Sequence, residues 1–552
     1  MTPRITALIA AAALAFGGCA HYATISEKRP QFRPVRTAIG ALATVESRIV
    51  SALRKEKSEP LVALGELLTA ADTAAQQLAR HPADTVARDD YNFAVARVFG
   101  IIKQAKLDPW TQPLHVPTAD GSEFLLTRKA DARKAWNPAL YDFTPADQFD
   151  VKGTYVSERS RKEGVGATLV AVGREVNPDA RANFGLEKTY YGVTAVARFE
   201  GRRCTIAFED PLGAETTSLN GRTFPLAADF TVPLAVMLAE TDPKKLELAR
   251  LLHPEKYAET ARISRLQPYD PNKTVVLVIH GLMDSPATWA PMLNALRGDE
   301  QVRRNYQFWF YSYPSGYPYP YSASILRQEL DAIEKKFPLR KKMVVIGHSM
   351  GGCISRLLIT DTSDQKLWLA LAKKPPAEVH LSPDSRKLFT DALIFRHRPE
   401  IGRVIFIAAP LRGSDLATGW AGRIGSMLVR APAKLLTAGN DAMKVVTFQG
   451  DDLRLKRIPN SVDTLAPNNR FVKAIQTIPF TPGIPYHVIS GDRGKAGNRD
   501  HTAPVCSDGI VPYWSSHLDG AQSELVVPSS HSAHQNPAAI AEVKRILTAH
   551  TP

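Results

Sequence analysis

The stretch Val344-Val-Ile-Gly-His-Ser-Met-Gly-Gly352 decides the fold, because an apolar run leads into a glycine-bounded turn around Ser349. The run predicts a strand, and Cys353–Leu358 after the turn predicts a helix. Glycines two positions on either side of the serine suit a turn in which any Cβ atom would collide with the neighbouring strand and helix. The pattern is typical of a nucleophile elbow, which exposes a serine hydroxyl at a strand end and at a helix N-terminus.

A second apolar strand ends in a His-Gly pair, in Val276-Leu-Val-Ile-His280-Gly281-Leu282-Met283. Such a loop supplies half of an oxyanion hole beside a nucleophile elbow. We expect the backbone N–H groups of Leu282 and Met350 to be the two donors, because backbone amides are fixed before charge develops on a carbonyl oxygen. His280 is interpreted as a residue that orients this loop and not as a catalyst.

A serine nucleophile needs a base, and chain order places that base after the last strand of such a fold. Ser523–Pro528 is the predicted last strand, and the segment Ser529-Ser-His-Ser-Ala-His534 follows it. His531 is nearer to the strand end and is the predicted base. His534 remains the alternative.

The base in turn needs an acid that holds its imidazole in the right tautomer. Asp508 lies in Cys506-Ser-Asp-Gly-Ile-Val-Pro512, a short turn ahead of the last strand, and is the predicted acid. Asp492 directly follows the preceding predicted strand and is the alternative.

Short apolar segments alternate with helical ones around these motifs. The predicted strands are Val275–Ile279, Gln307–Ser312, Met343–Ile346, Val404–Ala408 and Tyr486–Ser490. Ser324–Phe337 has the spacing of an amphipathic helix between two of them. Continuous apolar strands separated by helices favour a mostly parallel, buried sheet with helices on both faces.

Together these motifs resemble those of the α/β-hydrolase superfamily, in its lipase and esterase members. The resemblance covers residues 275–546, about half of the chain, and also includes Ala408-Ala-Pro-Leu-Arg-Gly413, which is similar to the segment after the sixth strand in lipase-like members. It implies a serine hydrolase that cleaves small-molecule or lipid esters, including phospholipid, through an acyl-enzyme on Ser349. An acyltransferase, a thioesterase or a peptidase would use the same triad, and a non-catalytic envelope scaffold is a further alternative.

The remaining sequence gives the expected organisation of the chain. We expect a signal peptide at 1–18, a tether at 19–37, a helical region at 38–110, a mixed β-rich region at 111–268 and the hydrolase domain at 269–552. Within the β-rich region, Thr194–Phe208 predicts two strands about the turn Glu200–Arg203. The sequence shows neither metal ligands at short spacing nor a phosphate-binding loop, so no metal and no cofactor are expected.

The N-terminus carries one arginine, an apolar run and Gly17-Gly-Cys19, which is the layout of an export signal. The position of Cys19 resembles that of the lipidated cysteine of a bacterial lipoprotein. We therefore expect an exported, membrane-anchored lipoprotein of the cell envelope, on the periplasmic or outer-membrane side. A plain cleaved signal or a short anchor is the alternative.

Composition limits the function classes. Of 552 residues, 44% are hydrophobic and 22% charged, which excludes a mainly disordered chain and a multi-span membrane protein. The net charge of +14 fits anionic envelope surfaces, and in an exported protein it does not indicate nucleic acid. Four cysteines exclude a disulfide scaffold, and a bridge between Cys204 and Cys506 remains open.

Overall fold

The computed structural model describes residues 22–35, 40–131, 137–241, 244–372, 374–415, 460–494 and 498–550. The predicted signal peptide at 1–18 and the predicted lipidation site Cys19 lie outside these residues. The chain divides into two units. The first takes its described residues from 1–178, 187–242 and 293–300, and the second from 179–186, 243–292 and 301–552.

The strands of the described residues are β1 (Thr24–Glu27), β2 (Leu114–Pro117), β3 (Glu123–Arg128), β4 (Tyr141–Pro145), β5 (Phe149–Lys152), β6 (Arg161–Lys162), β7 (Ala167–Gly173), β8 (Tyr190–Glu200), β9 (Arg203–Glu209), β10 (Thr216–Leu219), β11 (Arg222–Pro225), β12 (Ala228–Asp229), β13 (Arg262–Arg265), β14 (Thr274–Ile279), β15 (Tyr306–Ser312), β16 (Met343–His348), β17 (Ile401–Ile407), β18 (Tyr486–Asp492) and β19 (Ser523–Pro528).

The α-helices of the same residues are α1 (Ala41–Lys55), α2 (Pro60–Arg80), α3 (Thr85–Gln104), α4 (Thr231–Thr241), α5 (Lys244–Leu252), α6 (Ala290–Gly298), α7 (Glu300–Asn305), α8 (Tyr319–Lys336), α9 (Met350–Arg356), α10 (Lys366–Ala372), α11 (Pro383–Leu393), α12 (Arg470–Gln476), α13 (Tyr513–Ser516) and α14 (Pro537–Ala549). None of these helices is long and apolar enough to cross a membrane.

The first unit packs helices α1, α2 and α3 against a sheet with strand order β2-β3-β9-β8-β7-β4. Pro60 starts α2, where its missing N–H costs nothing, and Asp84 caps α3 by accepting from the Ala87 N–H. The buried Tyr91 hydroxyl donates to the Ala197 carbonyl oxygen at 2.7 Å and so fixes α3 to β8. Strands β8 and β9 form an antiparallel pair, with Glu200 opposite Arg203.

The second unit contains, among its described residues, a seven-stranded sheet with order β13-β15-β14-β16-β17-β18-β19. Strands β14 to β19 pair in parallel with their neighbours, and β13 is antiparallel to β15. The fold class predicted from the sequence is therefore confirmed, and each predicted strand overlaps an observed one. Strand β13 was not predicted, and it extends this sheet to residue 262, ahead of the expected boundary at 269.

The parallel pairing brings the carboxyl ends of six strands, β14 to β19, to one edge of the sheet. Ser349 directly follows β16, the His280-Gly281 loop follows β14, and His531 follows β19. Because loops at this edge converge, residues far apart in the sequence can form one site there.

Candidate active site

Ser349 has a strained backbone that the surrounding packing enforces. Its φ of 54° and ψ of −126° lie in a region that non-glycine residues rarely adopt, and α9 starts at the next residue. A Cβ atom on Gly347 would lie 2.4 Å from Ser355 Oγ, and one on Gly351 would lie 2.3 Å from the Ile279 carbonyl oxygen. The two glycines are therefore required by close approach, and the turn aims the serine side chain away from the strand.

His531 lies within hydrogen-bond distance of the serine. Its Nε2 atom is 2.8 Å from Ser349 Oγ, which is the contact a general base needs. The loop that carries His531 begins where β19 ends at Pro528.

Asp508 completes the arrangement from the other side of the imidazole. Its Oδ2 atom lies 2.8 Å from His531 Nδ1, and its Oδ1 atom accepts from the backbone N–H groups of Ile510 and Val511 at 2.8 and 2.7 Å. The carboxylate is fully buried. Because it only accepts hydrogen bonds when ionised, it keeps the proton on Nδ1 and turns the Nε2 lone pair toward Ser349.

The two alternatives have other partners. Asp492 accepts from His501 Nδ1 at 2.9 Å and from the Asn498 side-chain amide at 2.7 Å. Burial opposes its ionisation, but hydrogen bonds from Ser507 N–H and His501 lower the pKa of Asp492 overall. His534 Nε2 faces Thr288 Oγ1 at 3.1 Å, and burial lowers the pKa of His534 well below the ordinary histidine value. The structure thus brings Ser349, His531 and Asp508 together and leaves both alternatives outside this group.

Leu282 and Met350 frame the position next to the serine hydroxyl. Gly281 packs so closely on the elbow that a Cβ atom there would lie 2.9 Å from Ser349 Cβ. Neither the Leu282 nor the Met350 backbone N–H has a hydrogen-bond acceptor among the residues that the structure describes. Two such amides beside a nucleophile can receive the oxyanion of a tetrahedral intermediate.

His280 holds the loop that carries Leu282. Its Nδ1–H donates to the Gly281 carbonyl oxygen at 2.9 Å, and its Nε2 accepts from the Tyr313 N–H at 3.3 Å. The Tyr313 hydroxyl donates back to the His280 carbonyl oxygen at 2.8 Å. Burial lowers the pKa of His280 to about 4, so the imidazole stays neutral in this network.

Two site residues escaped sequence reasoning. His348 Nε2–H donates to the carbonyl oxygen of His531 at 2.8 Å, and its other nitrogen faces Asp284 Oδ2 at 3.5 Å. Asp284 follows the His280-Gly281 loop, and His348 directly precedes the serine. In the sequence, both residues were marked only by lying next to a predicted motif. That position does not distinguish a residue with a functional role from one that only packs against the site.

The cysteines left open by the sequence are free thiols. Cys204, Cys353 and Cys506 are all buried and unbridged. Burial raises the pKa of the Cys506 thiol to about 11, which keeps it protonated and poorly nucleophilic.

Replacing Asp508 by asparagine is expected to lower kcat about 10⁴-fold, because an amide no longer fixes the imidazole tautomer that accepts the serine proton. Asp492→Asn is the matched control, since it changes another buried carboxylate at the same end of β18, and it should stay within about threefold of wild type. Initial rates of p-nitrophenyl ester hydrolysis measure both. A larger loss in Asp492→Asn would move the acid to that residue.

A comparison with family models agrees with this geometry. Residues 275–543 match the model described as "Alpha/beta hydrolase family". Residues 275–543, just under half of the chain, form an α/β-hydrolase domain. The matched residues of this hydrolase include the elbow, the His280-Gly281 loop and both partners of Ser349.

Solved structures similar to this hydrolase include a lipase, a carboxyl esterase and a phospholipase. The lipase BlEst2 of Bacillus licheniformis in mature form is 18% identical, with 52% of this chain and 98% of that chain covered and a TM-score of 0.31. The metagenomic carboxyl esterase MGS0156 is 14% identical, with 55% and 90% covered and a TM-score of 0.29. Phospholipase PlaB of Legionella pneumophila is 12% identical, with 51% and 57% covered and a TM-score of 0.28. A comparison with curated proteins finds no match.

Proposed function

We propose that this hydrolase cleaves carboxylic esters of small molecules or lipids through an acyl-enzyme on Ser349. One observation carries the proposal: His531 Nε2 lies 2.8 Å from Ser349 Oγ while its Nδ1 lies 2.8 Å from the buried Asp508. A serine hydroxyl is a weak nucleophile unless a positioned base removes its proton as it attacks. This chain supplies both the base and the group that orients the base.

The first half of the reaction transfers the acyl group to the enzyme. Ser349 Oγ attacks the ester carbonyl carbon, and its proton passes to His531 Nε2. The carbonyl electron pair moves onto the oxygen, which the Leu282 and Met350 N–H groups receive. When the carbon–oxygen bond to the leaving group breaks, His531 gives that proton to the departing alcohol.

The second half releases the acid. Water gives a proton to His531 Nε2 and attacks the acyl carbonyl carbon. The tetrahedral intermediate collapses, Ser349 regains the proton, and the carboxylic acid leaves. Throughout, Asp508 stabilises the imidazolium without accepting its proton.

Acid release by the purified full chain tests the proposal. The substrates are a panel of p-nitrophenyl esters of increasing acyl length and, separately, a phospholipid. Each cleaved p-nitrophenyl ester should release one free acid for each p-nitrophenol, and cleaved phospholipid should release free fatty acid. The same assay with an added alcohol separates hydrolysis from transfer, because an acyltransferase would form a new ester in place of free acid. A chain that cleaves no ester in the panel would contradict the proposal.

We further propose that the protein is an exported envelope lipoprotein anchored through Cys19. Cys19→Ala should abolish incorporation of an alkyne-labelled fatty acid and shift the protein from the membrane to the soluble fraction of cells. Lys28→Ala, which changes an exposed side chain nearby, should keep both properties. Unchanged membrane association in Cys19→Ala would contradict the lipid anchor.

A further inference from the structure

Three buried side chains converge directly behind the triad histidine. Asp284, His348 and His534 are 9%, 4% and 2% exposed, and one ligand atom of each lies within 4.8 Å of the other two. The Nδ1 atoms of both histidines are buried and have no hydrogen-bond partner among the described residues. Such atoms lose their hydration on burial and need a partner to compensate.

The protonation of His348 follows from its partners. Its Nε2 faces the His531 carbonyl oxygen at 2.8 Å, and a carbonyl can only accept, so Nε2 carries the proton. In a neutral imidazole, Nδ1 then carries a lone pair and no proton. This Nδ1 atom of His348 lies 3.5 Å from Asp284 Oδ2. Two acceptors directed at each other in a buried place repel unless a positive charge lies between them.

His534 has the same arrangement. The Thr288 hydroxyl donates to the Ser285 carbonyl oxygen at 3.1 Å, so the His534 Nε2–H donates to Thr288 Oγ1 at 3.1 Å. The Gln535 side-chain nitrogen Nε2 lies 3.3 Å from the same His534 nitrogen. Exchanging the nitrogen and oxygen of this amide by a 180° rotation gives the His534 Nε2–H a second acceptor. The lone pair of His534 is therefore on the unpartnered Nδ1.

The carboxylate is held by the loop that also carries the predicted oxyanion donor. Asp284 Oδ1 accepts from the Ser285 N–H at 2.8 Å, and Oδ2 accepts from the Gly281 N–H at 3.3 Å. These bonds leave Oδ2 with a further lone pair on the side of His348.

We propose that Asp284, His348 and His534 bind a divalent first-row transition-metal ion, with Zn²⁺ as the best match. Two imidazole nitrogens and one carboxylate oxygen are ligands that Zn²⁺ takes, whereas Mg²⁺ and Ca²⁺ prefer oxygen alone. Ligand atoms on a tetrahedral zinc ion lie about 3.3 Å apart, close to the 3.5 Å between His348 Nδ1 and Asp284 Oδ2.

The second ring nitrogens support the same conclusion. Metal-binding histidines ordinarily donate their other N–H to a fixed acceptor, which sets the tautomer and the ring orientation. Here those acceptors are the His531 carbonyl for His348 and the Thr288 hydroxyl for His534. The ion would join the loop after β14, the end of β16 and the segment after β19, and through His348 it would hold the backbone of His531 in place.

Metal uptake by the full chain tests the site independently of the proposed esterase activity. Protein prepared without a polyhistidine tag is treated with a chelator, incubated with ZnCl₂, gel-filtered and analysed by mass spectrometry for bound zinc. We expect one zinc ion per chain, a Kd of about 1 μM or tighter, and a rise in Tm of about 3–6 °C. Catalytic activity is not needed for any of these readouts, so the failure of one proposal leaves the other standing.

Matched variants locate the ion. His534→Gln and Asp284→Asn should each lose the bound zinc, while His397→Gln, which removes a part-buried histidine paired with Asp361, should keep it. Equal zinc content in His534→Gln and wild type would overturn the site. A wild-type chain that takes up no zinc would also overturn the site. In that case a proton, and not a metal ion, would lie between the Asp284 carboxylate and a histidine Nδ1.

Cobalt substitution decides the question if a variant fails to fold. Wild-type protein loaded with Co²⁺ should show the visible absorption bands of a tetrahedral nitrogen and oxygen site. A thiolate charge-transfer band in the near ultraviolet would place the metal on a cysteine and contradict the proposal.

Discussion

Replacing Ser349 by alanine is expected to lower kcat for p-nitrophenyl butyrate about 10⁵- to 10⁶-fold, the range found when a triad member is removed. The variant loses the atom that attacks the carbonyl, while the Leu282 and Met350 amides and the binding surface remain. Those groups alone would still accelerate hydrolysis by water, so we expect a small residual activity in the variant. Steady-state rates at saturating substrate measure the loss.

The control for this variant is Ser363→Ala, which changes an exposed serine of the same unit and should keep wild-type rates. A fluorophosphonate should add to the wild-type chain at Ser349, as peptide mass spectrometry would show, and should not add to Ser349→Ala. Equal activity in Ser349→Ala and wild type would contradict the nucleophile assignment.

His531→Ala is expected to cost as much as the loss of the serine, about 10⁵- to 10⁶-fold in kcat, because a serine without its base is no better a nucleophile than water. His534→Ala should cost far less, about tenfold, since its Nε2 faces Thr288 Oγ1 and not the serine. The same ester assay compares the two variants.

His397→Ala controls for the loss of an imidazole elsewhere in the unit and should retain wild-type rates. Rescue separates chemistry from structure: added imidazole should restore part of the activity of His531→Ala, because removing the side chain leaves room beside the serine for an external base. If His534→Ala were the more damaging change, the base would have to be reassigned.

The sequence predicted the sheet because its strands are continuous apolar runs. Val275–Ile279 and Met343–Ile346 are buried on both faces of the sheet. A continuous apolar run of this length indicates a buried strand and not an exposed loop. Strand β13 has the sequence Arg-Ile-Ser-Arg, in which Ile263 and Ser264 are buried and the two arginines are part-buried. Nothing in four such residues separates a strand from a loop.

Chain order placed the triad candidates and favoured Asp508 as the acid, with Asp492 left as the alternative. Asp492 ends β18 and Asp508 lies in the loop beyond it, so both reach the same edge of the sheet. Their hydrogen-bond partners separate them: His501 and Asn498 engage Asp492, whereas Asp508 meets His531. Those partners depend on how loops fold in three dimensions, which local sequence does not encode.

The same limit hid the Asp284, His348 and His534 cluster and the division of the chain. Metal motifs are recognised by short spacing, and these three residues come from segments that lie far apart in the sequence. Residues 179–186 group with the second unit although they lie within the predicted β-rich region. Phe184, for example, accepts from the Arg265 N–H through its carbonyl oxygen at 2.8 Å.

Strand β13 has a consequence for how the hydrolase half could be isolated. It pairs with β15, whose sequence Tyr-Gln-Phe-Trp-Phe-Tyr-Ser is aromatic and almost entirely buried. A chain cut at residue 269 would leave the outer edge of β15 unpaired, and an uncovered aromatic strand is a template for association between molecules. A stand-alone hydrolase half must therefore begin upstream of Arg262. Without β13 it would expose an aggregation-prone strand edge that is paired in the full-length protein.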